Sequence, residues 1–177
     1  MYYQSPVGLL KINVEDGYVT KIIFLDDEDE IKNVSENISL KNRAVFEKCK
    51  AQLDEYFLGE RKIFDLPVKQ LGTAFQETVW NELVKIPFGK TISYLQLAQH
   101  IGNVKSIRAV GAANGRNNLS IVVPCHRVIG SNGSLTGYAG GLWRKQWLLE
   151  HENKYANGVY LLFQQISVSL KASKKPA

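Results

Sequence analysis

Two short apolar runs near the amino terminus predict β-strands. Residues 7–14 and 18–25 are rich in β-branched and aliphatic side chains, which favour extended backbone. Residues 15–17 separate the two runs and end in glycine, which suits the positive φ of a tight hairpin turn. We therefore expect a β-hairpin, followed by a solvated loop at the acidic run of residues 26–30.

Apolar side chains then recur at helical spacing over residues 43–58, and Gly59 provides a stop signal. Cys49 lies on the apolar face of this predicted helix, so we expect its thiol to be buried and inert. The face consists of Val45, Cys49, Leu53, Tyr56 and Phe57.

The stretch 61–72 contains Pro67 and has no periodic pattern, so it is the candidate domain boundary. We expect an amino-terminal domain with its linker over residues 1–70 and a second domain over residues 71–155. A carboxy-terminal extension covers residues 156–177, and its last nine residues are expected to form a frayed tail.

Two capping boxes predict where helices begin in the second domain. Thr73 is followed by Gln76, and Ser93 by Gln96, so each pair can satisfy free backbone N–H groups of a first helical turn. The first helix should bury Phe75, Val79, Trp80 and Leu83 and end at Pro87, the second should end at Gly102, and a third should cover residues 106–114. Two short helices around a tight turn at residues 102–105 resemble a helix-turn-helix.

The third predicted helix has unusually small side chains, including Ala109, Gly111 and Ala112. Tight packing in the core explains such a pattern, and so does the close approach of a second backbone such as nucleic acid. The sequence leaves both explanations open.

The remaining pattern predicts a strand, a loop and a last helix. Residues 121–123 are expected to form a short buried strand closed by Pro124, which has no N–H to donate. Five glycines within residues 130–141 indicate a tightly turned loop, and residues 143–152 have the spacing of an amphipathic helix.

Charge is distributed very unevenly along the chain. Residues 1–90 carry 12 basic and 15 acidic side chains, whereas residues 91–177 carry 10 basic and 2 acidic ones. No Asp or Glu occurs from Thr91 to Leu149. A half without acidic groups does not repel a polyanion, so nucleic acid is the first partner to consider.

Other classes of protein are disfavoured by composition. No run approaches the ~20 apolar residues of a membrane span, and the amino terminus lacks the pattern of a signal peptide. Only Cys49 and Cys125 are available, which argues against a disulfide framework and fits a reducing cytosol. No basic cluster of the nuclear-localisation type is present, which favours a bacterial or archaeal cytoplasm.

The tetrapeptide Pro-Cys-His-Arg at residues 124–127 is the strongest candidate for chemistry. A free cysteine with a pKa of ~8.5 is only slightly ionised at neutral pH, and a neighbouring imidazole and cations increase the thiolate fraction. His126 would need an acidic partner to orient it, and Glu150 and Glu152 are the acids in this half of the chain.

Three other interpretations of Cys125 compete with a nucleophile. A zinc site needs clustered ligands, but the two cysteines lie far apart. A papain-like hydrolase needs a signature that is absent here. The third alternative is a buried, inert cysteine beside a surface histidine.

Residues 121–130, Ile-Val-Val-Pro-Cys-His-Arg-Val-Ile-Gly, resemble the active-site signature of the O6-methylguanine-DNA methyltransferases, the suicide DNA repair alkyltransferases. The resemblance runs without a gap over residues 73–153, and Ser-Pro-Val-Gly-Leu-Leu at residues 5–10 is similar to the family's amino-terminal domain. The other matching segments are Phe75-Gln76-x-x-Val79-Trp80, residues 86–94, Arg108-Ala109-Val110-Gly111, Asn117, Gly137-Tyr138-x-Gly140-Gly141-Leu142 and Lys145-x-Trp147-Leu148-Leu149-x-x-Glu152.

The resemblance implies an α/β protein of two domains. The first is a ribonuclease-H-like sheet-and-helix domain, and the second is mainly helical with a helix-turn-helix of winged-helix-like type. The implied partner is double-stranded DNA carrying O6-alkylguanine, bound by a monomer that can act cooperatively on DNA, with no cofactor, metal or membrane. Whether O4-alkylthymine is also a substrate stays open.

The resemblance also assigns catalytic roles. Cys125 takes the alkyl group in a single displacement, His126 acts through a water as the base, and Glu152 holds the imidazole. Asn117 fixes the loop around the active-site strand, and Tyr94 pairs with the extruded guanine and donates a proton as the base leaves.

Further residues are implied to contact DNA or the flipped base. Arg108 fills the gap in the base stack as an arginine finger, and the small third helix lies in the minor groove. The other implied DNA contacts are Ala109, Gly111, Ala112, Ser93 and Arg116, and the implied base pocket consists of Val128, Tyr138, Ala139 and Gly140.

Two departures from the family pattern bear on substrate size and on metal. Members with a narrow pocket carry Trp where this chain has Gly140, so we expect alkyl groups larger than methyl to fit. The zinc ligands of some eukaryotic members have no counterparts, since residues 1–90 contain one cysteine and no histidine.

Two other functions compete with alkyl transfer. A non-catalytic alkyltransferase-like protein would lack the cysteine that is present at position 125. A helix-turn-helix transcriptional regulator would need a further DNA-binding or effector segment, which this sequence does not show.

Overall fold

The computed structural model describes residues 1–26 and 38–156. Its amino-terminal part contains an antiparallel sheet in the order β1-β2-β3. The strands are β1 (Tyr2–Ser5), β2 (Gly8–Glu15) and β3 (Tyr18–Phe24). The predicted β2–β3 hairpin is confirmed, and its turn residues Asp16 and Gly17 both have positive φ (52° and 83°), as a type I′ turn requires. Strand β1 was not predicted, because it is short and carries polar residues.

Helix α1 (Leu40–Phe57) follows the sheet and contacts β2 and β3. It begins three residues before the predicted start because the Ser39 side chain accepts a hydrogen bond from the Asn42 N–H and caps the helix. Cys49 is fully buried, as predicted, and burial raises the pKa of its thiol to about 12. Residues 27–30 of the acidic run and the predicted tail lie outside the described residues.

The linker predicted over residues 61–72 has no helix, but it is attached to the sheet. The Val19 N–H donates to the Pro67 carbonyl (2.8 Å), and the Lys69 N–H donates to the Val19 carbonyl (3.0 Å). These bonds make Val68 a one-residue parallel partner of β3, so the linker is held on the edge of the sheet.

The second half of the chain is mainly helical, as predicted. Both capping boxes are present at Thr73/Gln76 and Ser93/Gln96. The short strands β4 (Ile92–Ser93) and β5 (Val128–Ile129) pair in parallel. The helices are α2 (Ala74–Val84), α3 (Tyr94–His100), α4 (Ile107–Gly115) and α5 (Leu142–Ala156), with 3₁₀ turns at Val104–Ser106 and Cys125–Arg127.

The strand predicted at residues 121–123 is wrong. Ile121 has a φ of 72°, and the Val123 N–H donates to the Leu119 carbonyl (2.8 Å), so this segment is a tight turn. Ile121 and Val123 are buried, and a short apolar run is typical both of a buried turn and of a buried strand. The turn is fastened to β3, since the Ile22 N–H donates to Asn118 (2.7 Å) and the Ser120 N–H donates to Ile22 (2.9 Å).

Arg144 links the glycine-rich loop to the sheet. Its buried guanidinium donates to the Val7 carbonyl (2.8 Å) and to the Gly140 carbonyl (2.8 Å), and it forms an ion pair with Asp26. Gly8 has a φ of 109°, and a Cβ there would lie 3.1 Å from the guanidinium. The Ser-Pro-Val-Gly segment therefore has a structural role, because Gly8 leaves room for the Arg144 side chain and Val7 accepts its hydrogen bond.

One continuous apolar core joins the sheet, α1 and the second half of the chain. Its fully buried members include Leu10, Ile12, Ile22, Leu53, Tyr56, Leu83, Leu97, Val110, Leu119 and Leu148. The helices and turns that carry the candidate residues consequently share one core with the amino-terminal sheet.

We expect Thr73→Ala to lower the free energy of unfolding by about 1 kcal/mol, because Thr73 caps α2 through the Gln76 N–H. Thr78→Ala, at an exposed position of the same helix, should change it by less than about 0.5 kcal/mol. Urea unfolding measures both variants, and equal effects would contradict the assigned cap.

Candidate active site

Cys125 begins the 3₁₀ turn that follows Pro124, and its side chain is almost completely buried. Its sulfur accepts a hydrogen bond from Asn117 Nδ2 (3.1 Å). Burial raises the pKa of the thiol, although the Asn117 hydrogen bond and the nearby charge of Lys145 act in the opposite direction. The resting thiol is therefore largely protonated and needs a base to become a nucleophile.

Asn117 is also the organiser of the turn before Cys125. Its Nδ2 donates to the Val123 carbonyl (2.7 Å), and its Oδ1 accepts from the Leu119 N–H (3.0 Å). Gln70, at the end of the linker, donates to the same Oδ1 (3.1 Å). The amide thus closes the turn and reaches the sulfur at the same time.

His126 is fully buried, and its ring is held by Glu152 through Nε2 and Oε1 (2.8 Å). A carboxylate can only accept, so Nε2 carries the proton and Nδ1 keeps a lone pair in the neutral ring. Burial lowers the pKa of His126, which keeps the imidazole neutral at neutral pH. Nδ1 has no hydrogen-bond partner among the described residues, which is unusual for a buried polar atom.

Glu152 is buried but receives hydrogen bonds from four residues. Arg127 donates through Nε (2.9 Å to Oε2) and Nη2 (2.9 Å to Oε1), the Gly89 N–H donates to Oε2 (2.9 Å), and Tyr56 Oη donates to Oε1 (2.9 Å). Burial alone would raise the pKa of Glu152, but the hydrogen bonds from His126 and Arg127 and the positive charge of Arg127 hold it well below its usual range. The carboxylate is therefore ionised at all ordinary pH values.

Glu152, and not Glu150, is the acidic partner of His126. Glu150 is exposed and accepts a hydrogen bond from Gln146 one turn earlier on α5. The structure brings Cys125, Asn117, His126 and Glu152 into one buried cluster, as the resemblance implied. A neutral imidazole that is fixed by a carboxylate can accept the proton of an adjacent thiol, so the cluster has the parts of an activated cysteine nucleophile.

Tyr94 and Lys145 lie beside this cluster. Both donate to the Thr136 carbonyl, Tyr94 through Oη (3.3 Å) and Lys145 through Nζ (2.7 Å). Burial raises the pKa of Tyr94 and lowers the pKa of Lys145 to about 8. Tyr94 therefore keeps its phenolic proton, and Lys145 places a titratable ammonium close to the thiol.

An open cavity of about 660 Å³ lies between α3, α4 and the glycine-rich loop. Tyr138 and Ala139 of the predicted base pocket line it, together with Tyr94 and Gly111. Val128 and Gly140 are not among the residues that line this cavity. Val128 is fully buried in β5, and a Cβ on Gly140 would lie 2.6 Å from Phe24. Gly140 thus admits Phe24 of the sheet and does not widen the cavity.

The residues predicted to contact DNA lie around α3 and α4. Arg108, Ala109 and Ala112 are exposed on α4, and Arg116 is exposed just beyond its end. Gly111 lies against the Tyr94 ring, since a Cβ there would be 3.9 Å from it, and Ser93 caps α3. Of these residues, Gly111 also lines the cavity.

Three polar residues of the site were not identified by sequence reasoning. Arg127 was considered only as a cation near the thiol, yet it pairs with Glu152 and donates to the Ile86 carbonyl (2.6 Å). The burial of Lys145 could have been predicted, because the residue lies three positions before Leu148 and seven before Glu152, which places all three on one helical face. Tyr56, which is 96 residues from Glu152 in sequence, had none.

Neither a metal site nor a membrane span is found within residues 1–26 and 38–156. Within these ranges, no three His, Cys, Asp or Glu side chains are grouped so that they could hold an ion. Within the same ranges, no helix has the length and apolarity needed to cross a bilayer.

A buried cysteine beside a histidine–glutamate pair is the arrangement of a thiol that a neighbouring base can activate. Comparison with known families is more specific. Residues 1–70 match the ribonuclease-like domain of 6-O-methylguanine DNA methyltransferase, and residues 74–154 match the DNA binding domain of the same family. The chain belongs to the 6-O-methylguanine DNA methyltransferase family.

Individual relatives agree with this family. The constitutive methylated-DNA–protein-cysteine methyltransferase of Bacillus subtilis is 48% identical over 139 residues, covering 77% of this chain and 84% of the relative. The methylated-DNA–protein-cysteine methyltransferase of Methanosarcina acetivorans is 43% identical over 155 residues, covering 86% of this chain and 98% of the relative. The crystal structure of Mycobacterium tuberculosis OGT in complex with DNA superposes with a TM-score of 0.77 at 40% identity, covering 87% of this chain and 92% of that one.

We expect Arg127→Met to lower the free energy of unfolding by about 3–5 kcal/mol, because it leaves the buried Glu152 without its ion pair. Arg108→Met removes the same charge from an exposed position and should change stability by less than about 0.5 kcal/mol. Chemical denaturation compares the two variants. An Arg127→Met protein as stable as the parent would show that the ion pair does not hold the site together.

Proposed function

We propose that this protein repairs DNA by extruding O6-alkylguanine from the duplex and transferring the alkyl group irreversibly to Cys125. The observation that carries the proposal is the buried His126 ring, whose Nε2 is fixed on Glu152 while Nδ1 has no partner among the described residues. O4-alkylthymine, which also carries its alkyl group on an exocyclic oxygen, is a second candidate substrate.

The first step is loss of the thiol proton. His126 Nδ1 takes the proton of Cys125, with a water between them, and Glu152 stabilises the resulting imidazolium through Nε2. The Asn117 amide hydrogen bond to the sulfur supports the thiolate as it forms. Because Glu152 is already ionised, it needs no proton transfer of its own.

The second step is a displacement at carbon. The sulfur forms a bond to the alkyl carbon as the bond between that carbon and guanine O6 breaks, and the electron pair of that bond goes to the base. Tyr94, whose raised pKa keeps it protonated, supplies a proton to the departing guanine. The His126 imidazolium then returns its proton, through solvent, to the Tyr94 phenolate. The net change therefore moves one proton to guanine and the alkyl group to sulfur, and both His126 and Tyr94 regain their starting protonation states.

The product explains why the protein would act once. A thioether is not cleaved by water, so the alkyl group stays on the sulfur. Each molecule would therefore repair one base, which is stoichiometric chemistry without turnover.

DNA engagement is assigned to α3 and α4, which we interpret as a helix-turn-helix. The exposed face of α4 carries Ala109 and Ala112, and such small side chains suit a minor groove only ~6 Å wide. Arg108 on the same face would replace the extruded base, at an unstacking cost of a few kcal/mol. The absence of acidic residues from Thr91 to Leu149 favours attraction to the phosphates.

We expect Cys125 to gain about 14 Da, the mass of one CH₂, after incubation with duplex DNA containing O6-methylguanine. Peptide mass spectrometry locates the group, and the DNA should lose one methyl per protein molecule. Cys125→Ala should still bind the DNA but accept nothing.

Cys49→Ala is the matched control, because Cys49 is the other free cysteine and is buried in the core. It should transfer at the parent rate. An unmodified Cys125 peptide in a protein that binds the lesion would leave a non-catalytic recognition protein, and failure to bind would remove the DNA assignment.

The cavity also predicts tolerance of large alkyl groups, because it has about 660 Å³ and is lined by small residues such as Gly111 and Ala139. We expect O6-benzylguanine to inactivate the protein and to leave a benzyl group on Cys125. Gly111→Leu should reduce this inactivation more than it reduces methyl transfer. No benzylation at high reagent concentration would refute the prediction.

A further inference from the structure

A phenol of the amino-terminal half contacts the buried carboxylate of the candidate active site. Tyr56 of α1 is fully buried, and its Oη donates to Glu152 Oε1 over 2.9 Å. The two residues lie 96 positions apart in the sequence. The contact therefore depends on the packing of the two halves and not on any local element.

Tyr56 shares its acceptor oxygen with His126. Glu152 Oε1 accepts from Tyr56 Oη (2.9 Å), His126 Nε2 (2.8 Å) and Arg127 Nη2 (2.9 Å). Each donor to an anionic oxygen neutralises part of its charge, so the phenol weakens the pull of that oxygen on the imidazole proton. The hydroxyl also fixes the plane in which the carboxylate meets the ring.

The phenol is held firmly and remains a donor. Its ring packs against Phe57, Phe64, Phe88 and His151 at centroid distances of 5.3, 5.6, 5.9 and 5.3 Å. The Tyr56 carbonyl is also within hydrogen-bond distance of His151 Nε2 (2.9 Å). Burial raises the pKa of Tyr56 well above its ordinary value, so the hydroxyl does not ionise in the working range.

Other titratable and charged groups around the pair come from three further elements. His126, Arg127 and Cys125 belong to the 3₁₀ turn, and Tyr138 belongs to the glycine-rich loop. The members on α5 are Lys145, His151 and, facing His151, Lys154. Removing the Tyr56 hydroxyl leaves all of these side chains in the protein, so a shift of the pH profile reports the lost hydrogen bond to Glu152.

We infer that Tyr56 is a positioning residue for alkyl transfer, which orients Glu152 toward His126 and limits how strongly the carboxylate stabilises the protonated ring. The amino-terminal domain thereby helps to set the pH range in which Cys125 is reactive. This inference rests on the proposed function only in taking Cys125 as the acceptor.

The test is the pH dependence of the transfer rate in Tyr56→Phe, with a duplex containing O6-methylguanine. Without the phenol, Glu152 keeps more charge on Oε1 and favours the imidazolium. Because the reaction needs the neutral ring, the acid limb of the profile should move to higher pH, by about half a unit. The rate on the alkaline plateau should change much less than the rate in the acid limb.

Tyr3→Phe is a matched control. Tyr3 Oη donates to Asp54 Oδ1 (2.8 Å), so this variant also removes a phenol–carboxylate hydrogen bond at α1, but away from Cys125. Its profile should coincide with that of the parent protein. Melting temperatures of both variants separate a loss of stability from a shift of the profile.

A second variant tests the opposite direction and covers the case in which Tyr56→Phe does not fold. Replacing Tyr56 site-specifically by 3-fluorotyrosine retains the ring and hydroxyl but makes the phenol a stronger donor, so the acid limb should move to lower pH. An unmoved limb in the folded variants would overturn the inference while leaving Cys125 as the acceptor. A parent protein that never alkylates Cys125 would instead remove the proposed function.

Discussion

The site depends on the ionised carboxylate of Glu152, which is buried where an unpaired charge would be strongly destabilising. Four hydrogen-bond donors stabilise the buried charge: Arg127, His126, Tyr56 and the Gly89 N–H. His126 and Arg127 belong to the 3₁₀ turn at Cys125–Arg127, whereas Tyr56 and Gly89 come from distant parts of the chain. The same contacts that make the burial of this charge tolerable also fix the imidazole beside Cys125. Stability and reactivity therefore share one set of hydrogen bonds.

The amino-terminal sheet and α1 determine the geometry of the site although they carry no group that reacts in the proposed mechanism. The turn that holds Asn117 is bonded to Ile22 of β3, and Arg144 ties the glycine-rich loop to Val7. Tyr56 completes the carboxylate site from α1. A nucleophile that must be buried yet activated benefits from such a rigid frame, because small displacements of a catalytic group are costly in rate.

Features governed by neighbours in sequence could be predicted. The hairpin turn at Asp16–Gly17, the two capping boxes and the burial of Cys49 follow from local rules, and all are present. The apolar residues 121–123 were misassigned because burial does not distinguish a strand from a tight turn. The role of Tyr56 could not be predicted, because its partner Glu152 lies 96 residues away in the sequence. The contact of Gly140 with Phe24 could not be predicted either, because it depends on how the glycine-rich loop packs on the sheet.

The protonation state of His126 is the most direct test of this account. Nitrogen-15 NMR of the imidazole near neutral pH distinguishes the two neutral tautomers from the imidazolium. The arrangement around Glu152 predicts a neutral ring with the proton on Nε2 and a free lone pair on Nδ1. A proton on Nδ1, or an imidazolium in the resting protein, would contradict the claim that Glu152 prepares His126 as the base for Cys125.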